Sequence, residues 1–300
     1  MDIIRSYRDL SLKNRGASIA IGNFDGVHMG HRSIICLAKD YAKKFGVPLG
    51  VLTFEPHPRA FFAPEMTDFR ISGPQTRAER LQGIGVEKLY ELTFDSKLSQ
   101  LTSEQFAKEI ISEGLGAAHV VVGANFRFGK NRSGDIELLK LLGERYRFDV
   151  TIAPMLEYSG SDKISSSEIR QALREGRPDV AAKKLGQWHM VKGRIIKDGN
   201  DNYKVEISKD GLDGQGMMPP KAGFYSVGVE IYPAPCFGYQ FGTILVDRMK
   251  EGFQIQLNNK RLYSEIEGLK VSVKFYNYLG SDYRFDESLG VSGFGEVELA

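Results

Sequence analysis

Short apolar runs alternate with segments of helical period over the first 185 residues. The runs 18–21, 49–54, 119–122 and 150–153 are largely apolar and strand-sized, as strands buried on both faces are, and a further strand is expected over 88–92. Between the first two, Ile34, Ala38, Tyr41, Ala42 and Phe45 share one face of a helix expected over 31–45, and Gly46-Val47-Pro48 ends it. Further helices are expected over 76–84, over 103–113 with Ser103 as its cap, and over 135–146. Strands alternating with helices predict parallel βαβ units, hence an α/β fold with a doubly wound parallel sheet. Such sheets bind ligands beyond the carboxyl ends of their strands, where the strand order reverses.

The pattern changes near Trp188. Strand-sized runs follow at 189–196, 203–207, 223–231, 253–257 and 271–275, separated by turn clusters such as Asp198-Gly199-Asn200-Asp201-Asn202. These predict a separate small antiparallel β-barrel or sandwich. Two domains are therefore expected, 1–186 and 187–300, and 300 residues suit two domains of roughly 100–200 residues each. No internal repeat or low-complexity stretch interrupts them.

Composition narrows the chemistry. Forty basic residues balance 38 acidic ones, so no broad positive field exists to hold nucleic acid, and any phosphate chemistry must come from a focused site. Two distant cysteines, Cys36 and Cys236, exclude a disulfide framework and a four-cysteine zinc site; they leave room for one bridge, but a reduced cytoplasmic protein is the simpler expectation. The first residues lack the apolar core of a signal peptide, and no run of about 18 apolar residues offers a membrane span. The oligomeric state is not written in the sequence.

Four loops carry candidate chemistry. Gly22-Asn23-Phe24-Asp25-Gly26-Val27-His28-Met29-Gly30-His31 joins a buried strand to a helix N-terminus and holds two of the five histidines. Unpaired amides and the helix dipole there favour anionic oxygens, two imidazoles add donors, and Gly30 permits close backbone approach. Ser165-Ser166-Ser167-Glu168-Ile169-Arg170 reads as a serine-capped helix start with an arginine close by, able to grip a polyphosphate or simply to cap a helix. After the strand 119–122, Asn125, Phe126, Phe128 and Arg132 alternate aromatic and polar groups, which suits an aromatic ligand bearing phosphate. After the strand 49–54, Phe54, Pro56 and Pro58 form a stiff turn, and Phe54 with Phe61 and Phe62 can wall a flat ring. For either of these last two loops alone, core aromatics and a rigid turn explain the residues as well. The coincidence of four such loops is what carries weight.

These residues resemble the bacterial bifunctional riboflavin kinase/FAD synthetases, from about residue 18 to residue 185. Gly22, Phe24, Asp25, Gly26, His28, Gly30 and His31 match the nucleotidyl-transfer signature, which the wider nucleotidyltransferase superfamily shares; segments 54–58, 125–134 and 165–170 narrow it to the flavin branch. Asn125 departs from the family pattern, where Asp is expected. The resemblance implies FMN adenylyltransferase chemistry: ATP with Mg2+, FMN as acceptor, FAD as product. It implies His28, His31 and Arg170 as catalytic residues. It implies Gly22, Asn23, Phe24, Gly26, Gly30, Ser165, Ser166 and Ser167 at ATP, with Ser166 and Arg170 on the β- and γ-phosphates. It implies Phe54, Pro56, Pro58, Asn125, Phe126, Phe128 and Arg132 at the flavin. No protein metal site is expected, since the magnesium would ride on phosphate oxygens and water.

The barrel departs further. The family's kinase carries Gly-Phe-Pro-Thr-Ala-Asn after its first strand and a glutamate late in the barrel; here the matching stretches, 197–207 and 254–259, hold neither. Scaffold positions remain, in Ala222-Gly223-Phe224-Tyr225-Ser226-Val227, Lys274-Phe275 and Arg284-Phe285. A retained barrel without kinase chemistry is expected. The alternatives are a kinase using other residues, nucleotidyl transfer to another phosphorylated acceptor or from CTP, and a flavin-binding regulator.

Overall fold

An aliphatic run with no polar face has to be covered on both sides, and the central strands of the first set are. The computed structural model describes residues 1–65, 68–155, 157–158, 162–198, 203–206, 217–233, 237–247, 252–259 and 262–283. The chain divides into two units: Met1–Met66 with Arg77–Ile164, and Thr67–Thr76 with Ser165–Ala300.

In the first unit six strands form one sheet: β1 (Asp2–Ile4), β2 (Ser18–Ile21), β3 (Leu49–Glu55), β4 (Lys88–Thr93), β5 (His119–Gly123) and β6 (Asp149–Ala153). Every pairing is parallel, in the order β1-β4-β3-β2-β5-β6. The order reverses between β2 and β5, so the ligand crevice of a doubly wound sheet lies beyond Ile21 and Gly123. Alternate residues serve opposite faces. Ala20 and Val121 join the core under α1 (Met29–Phe45), with Ile35, Ala38 and Ala42. Ile19, Ile21, Val120 and Val122 join the opposite core, with Phe106, Ile110 and Leu139.

Several expectations need correction. The buried stripe of α1 runs through Ile35, Ala38 and Ala42, one position round from the expected face; Phe45 is exposed and leans on Tyr41, ring centroids 4.3 Å apart. Two short helices, α2 (Pro58–Phe62) and α4 (Ser96–Ser99), and strand β1 were not foreseen, being too brief to show a period; α3 (Pro74–Ile84) was. The helix expected from Ser103 is capped instead by Thr102, in a capping box with Gln105. It begins as α5 (Ser103–Gln105) and continues as a π-helix over Phe106–Gly114. Asp135 caps α6 (Ile136–Tyr146) by accepting from the Leu138 amide at 2.9 Å. A small antiparallel pair, β7 (Glu157–Tyr158) and β8 (Asp162–Lys163), completes this unit.

A polar network ties the amino ends of the strands, opposite the crevice. The buried His119 bonds Ser18 Oγ through Nδ1 (2.9 Å) and Thr151 Oγ1 through Nε2 (2.8 Å). Its ring stacks on Tyr41, whose hydroxyl donates to Asp149 at 2.7 Å. Burial lowers the His119 pKa to about 4 and, with the Asp149 bond, raises that of Tyr41 to about 12.

In the second unit α7 (Ser166–Arg174) and α8 (Pro178–Leu185) precede a closed antiparallel barrel. Its strands are β9 (Met190–Lys197), β10 (Tyr203–Glu206), β11 (Gly223–Tyr232), β12 (Tyr239–Val246), β13 (Phe253–Leu257) and β14 (Lys270–Gly280), with α9 (Tyr263–Ile266) before the last. The barrel closes in the order β10-β13-β12-β11-β14-β9. Inward side chains fill it, among them Val205, Tyr225, Val227, Ile244, Ile255 and Phe275. Strand β12 was not expected. Its glycine and polar residues blur the alternation, although its Gly242 is needed: a Cβ there would stand 2.4 Å from the Gln256 carbonyl. Ile207, Cys236, Arg284 and Phe285 lie outside the described residues; Cys36 is an exposed free thiol.

Candidate active site

The loop leaving β2 is bent by three residues of positive φ, Phe24 (50°), Gly26 (84°) and Val27 (45°). Only glycine takes that conformation freely; a β-branched valine there stores strain of about 1–3 kcal/mol. The bend places His28 at the N-cap of α1. Its Nδ1 accepts the His31 amide (3.2 Å), supplying one of the partners a helix start lacks. In the neutral ring the proton is therefore on Nε2, which makes that nitrogen a donor. The His31 ring stacks on His28, centroids 3.5 Å apart and planes 16° from parallel. The fully buried Phe24 meets His31 edge-on at 5.2 Å. A Cβ on Gly30 would come within 3.2 Å of His28 Cε1, so glycine lets the imidazole lie over the first turn.

Side chains from other elements grip this loop's carbonyls. Thr53 Oγ1 donates to Asn23 O (3.2 Å), Arg77 Nη1 stands 3.4 Å from the same oxygen, and Arg80 Nη1 donates to Gly26 O at 3.0 Å. Arg77 is 2% exposed and pairs with Glu55 (3.1 Å) and with the buried Glu91 (2.9 Å). Arg77 and Arg80 are not among the residues expected at the site, and Thr53 opens the expected candidate segment 53–58 without an expected role of its own. The available signal was two arginines three residues apart on a helix expected to pack on the sheet.

Beyond β3, His57 caps α2 by accepting from the Arg59 amide (3.0 Å), with Pro58 in the first turn. Pro56 is exposed. Phe54, Phe61 and Phe62 gather edge-to-face around Phe94, at 5.8, 5.3 and 5.7 Å, and Phe62 keeps 67% of its surface exposed. Phe94, just past β4, is another residue not expected there.

Beyond β5, Phe126 and Phe128 stack at 5.5 Å. Phe128 is buried in the core and backs Phe126, so Phe126 is the ring with surface to offer. Phe128 and Gly134 bridge each other, and a Cβ on Gly134 would stand 2.6 Å from the Phe128 ring. Asn125 and Arg132 are exposed; Asn125 Nδ2 lies 3.1 Å from Met155 Sδ. The Leu138 amide holds the Asp135 carboxyl below its usual range, with help from Arg127 at 3.2 Å.

The serine-rich segment falls in the second unit. Ser165 caps α7 by accepting from the Glu168 amide (3.3 Å), while Ser166 and Ser167 occupy its first turn. Arg170 lies further along, buried, with Nε donating to the Phe69 carbonyl at 2.7 Å and the guanidinium 5.7 Å over the Phe69 ring. Among the described residues no group of three or more His, Cys, Asp or Glu could hold a metal ion.

In the first unit, then, a histidine-capped helix start and two aromatic loops stand at the carboxyl ends of β2, β3 and β5. A solved structure from Streptococcus pneumoniae, described as a macrolide-efflux protein, matches with TM-score 0.79 and 26% identity, covering 95% of this chain and 92% of that one. Among the described residues no helix is long and apolar enough to cross a membrane. A bifunctional riboflavin kinase/FMN adenylyltransferase of Pseudomonas fluorescens is 33% identical over 77% of this chain and 74% of its own. The enzyme of the same description from Escherichia coli K12 is 30% identical, over 76% and 73%. That from Listeria monocytogenes is 28% identical over 92% and 87%, which takes the likeness through the barrel. The sequence profile of the FAD synthetases matches residues 10–168, the stretch that holds β2 to β6 and the histidine-capped loop, and the chain belongs to that family.

Proposed function

We propose that the first unit transfers AMP from ATP to FMN, giving FAD and pyrophosphate, and that the barrel no longer phosphorylates riboflavin. The observation that carries the first part is the histidine pair on the start of α1: His28 Nδ1 is taken by the His31 amide, which leaves its Nε2–H as the donor of the neutral ring. In the proposed reaction an oxygen of the FMN phosphate bonds to the α-phosphorus of ATP, and the bond from that phosphorus to the bridging oxygen of pyrophosphate breaks. The nucleophile is already anionic at neutral pH. It needs no general base, and catalysis reduces to positioning and to stabilising charge on the phosphate oxygens. His28 and His31 do the latter, beside the amides and dipole of α1. Magnesium enters as part of the ATP substrate. Phe54, Pro56, Pro58, Asn125, Phe126 and Arg132 are proposed to hold the flavin, with Phe128 as backing and Phe62 as an exposed platform.

Loss of the kinase rests on the barrel's sequence. Along β13, Phe253, Ile255 and Leu257 point inward, the alternate positions are Gln254 and Gln256, and Asn258-Asn259 follow, so no carboxylate occupies 253–259. No Pro-Thr-Ala-Asn occurs in the chain. Chromatography of products from purified protein, ATP and magnesium decides both parts. FAD from FMN and nothing from riboflavin is expected. FMN or FAD appearing from riboflavin refutes the loss of the kinase, and no FAD from FMN refutes the transferase.

A further inference from the structure

The carbonyl contacts of the nucleotide loop have a directional consequence. A trans peptide points its N–H opposite to its C=O. Arg80 on Gly26 O directs the Val27 amide back into the turn, and Thr53 and Arg77 on Asn23 O turn the Phe24 amide to the other side of the loop. Arg32 Nε, 3.4 Å from Val27 O, does the same for the His28 amide. The Val27 amide closes the turn on Phe24 O (3.1 Å). Phe24 and Val27 sit at positive φ, which neither side chain favours, so the loop needs outside support to hold this shape. Arg77 is placed between two carboxylates at 2.9 and 3.1 Å, and its charge is met there. Its reach to Asn23 O is then a matter of orientation. Glu55, one of those carboxylates, ends β3 immediately before Pro56, so one guanidinium spans the roots of two loops.

We propose that Thr53, Arg77 and Arg80 are positioning residues: they clamp the carbonyls of the Gly22–His28 loop, Arg80 by holding its turn closed, so that the amides outside the turn face the nucleotide phosphates, and Arg77 ties that loop to the one that follows Glu55. The inference rests on the nucleotidyl-transfer reading above, so its test includes a readout independent of the acceptor.

The probe is inorganic pyrophosphate with magnesium, titrated calorimetrically into the full chain, alongside kcat and KM for FMN. Thr53→Val keeps the shape and removes the donor; Thr53→Ser keeps the donor; Arg80→Met removes the grip on Gly26. Thr53→Val and Arg80→Met should each weaken pyrophosphate about fivefold or more and lower kcat about tenfold, with KM for FMN held within about twofold, as expected for lost positioning at the phosphates alone. Thr53→Ser should restore the affinity. Arg77→Lys keeps a charge beside the carboxylates but cannot span three partners, and it should lower kcat and raise KM for FMN together. Because that variant disturbs a buried ion pair, the other two positions decide the outcome. Pyrophosphate affinity within about twofold of wild type in both Thr53→Val and Arg80→Met overturns the clamp, and so does an equal loss in Thr53→Ser, which reads as a packing defect. Wild-type protein that does not bind pyrophosphate overturns it as well. Wild-type protein that binds pyrophosphate yet makes no FAD refutes the proposed acceptor, and the clamp is then judged on the affinities.

Discussion

Acid should unfold the first unit through His119 in particular. Its ring is 2% exposed, stacked on Tyr41, and bonded at both nitrogens to hydroxyls, Ser18 Oγ and Thr151 Oγ1. Hydroxyls serve a neutral imidazole equally well, one accepting and one donating. Among the described residues no carboxylate touches the buried ring directly, and burial, only partly opposed by the charge of Asp149, is what lowers the pKa from 6.5 to about 4. The sign follows. Between those values the unfolded chain binds a proton that the native ring refuses, so this contribution is intact above pH 6.5 and is lost as pH falls toward 4. A shift of this size is worth up to about 3 kcal/mol, at about 1.4 kcal/mol per pH unit in mid-window. Carboxylates titrate in the same range, so a reference is needed, and His119→Gln supplies one that cannot ionise. Urea unfolding from pH 7.5 to 4.5, followed by a probe in the first unit, should give a steeper loss of stability for wild type than for His119→Gln. The two curves should approach each other by about 2 kcal/mol or more as the pH falls. Parallel curves, or an NMR titration of the His119 ring with a midpoint near 6.5, would refute the argument.

Other substitutions test the site directly. His28→Ala removes the proposed phosphate donor and a helix cap; turnover should fall about a hundredfold or more, since a well-placed donor of this kind is worth about 2.7–4 kcal/mol. His28→Asn restores a cap without the imidazole, so it should recover thermal stability and not turnover; near-normal turnover in either variant would remove His28 from the mechanism. Gly30→Ala brings a Cβ to 3.2 Å from the His28 ring, and steady-state kinetics should show kcat reduced about tenfold, equivalent to about 1.4 kcal/mol, with the melting temperature nearly unchanged. Phe62→Ala removes an exposed ring, so stability should move by less than about 0.5 kcal/mol while KM for FMN rises and KM for ATP stays put. Gly134→Ala drives a Cβ into the Phe128 ring and should cost about 1–3 kcal/mol in chemical denaturation.

The parts of this structure legible in the sequence are those with local causes. Five of the six sheet strands are strand-sized runs, and their alternation with helices predicts a parallel sheet that binds ligands beyond the carboxyl ends of its strands; the order that puts the reversal between β2 and β5 is set by contacts distant in sequence. Gly22–His31 was conspicuous because a glycine turn, two histidines and a helix start coincide in ten residues. Phe128 and Phe24 show the limit of that reading: an aromatic residue in a functional loop looks the same whether its ring faces a ligand or the core, and both are buried. Arg170 shows it for charge, since nothing local announces that its guanidinium meets the Phe69 carbonyl, 101 residues away. The clamp is the extreme case. Thr53 lies in a strand where threonine is ordinary, and Arg77 and Arg80 look like the solvated face of an amphipathic helix. Only the pairing of β3 with β4 brings Glu55 beside Glu91's strand and gives Arg77 two carboxylates to enter between. An arginine buried between a helix and a parallel sheet is costly unless its charge is met by partners from the strands it packs on. Such a residue persists because of contacts distant in sequence, and for that reason it is invisible to any reading that moves along the chain.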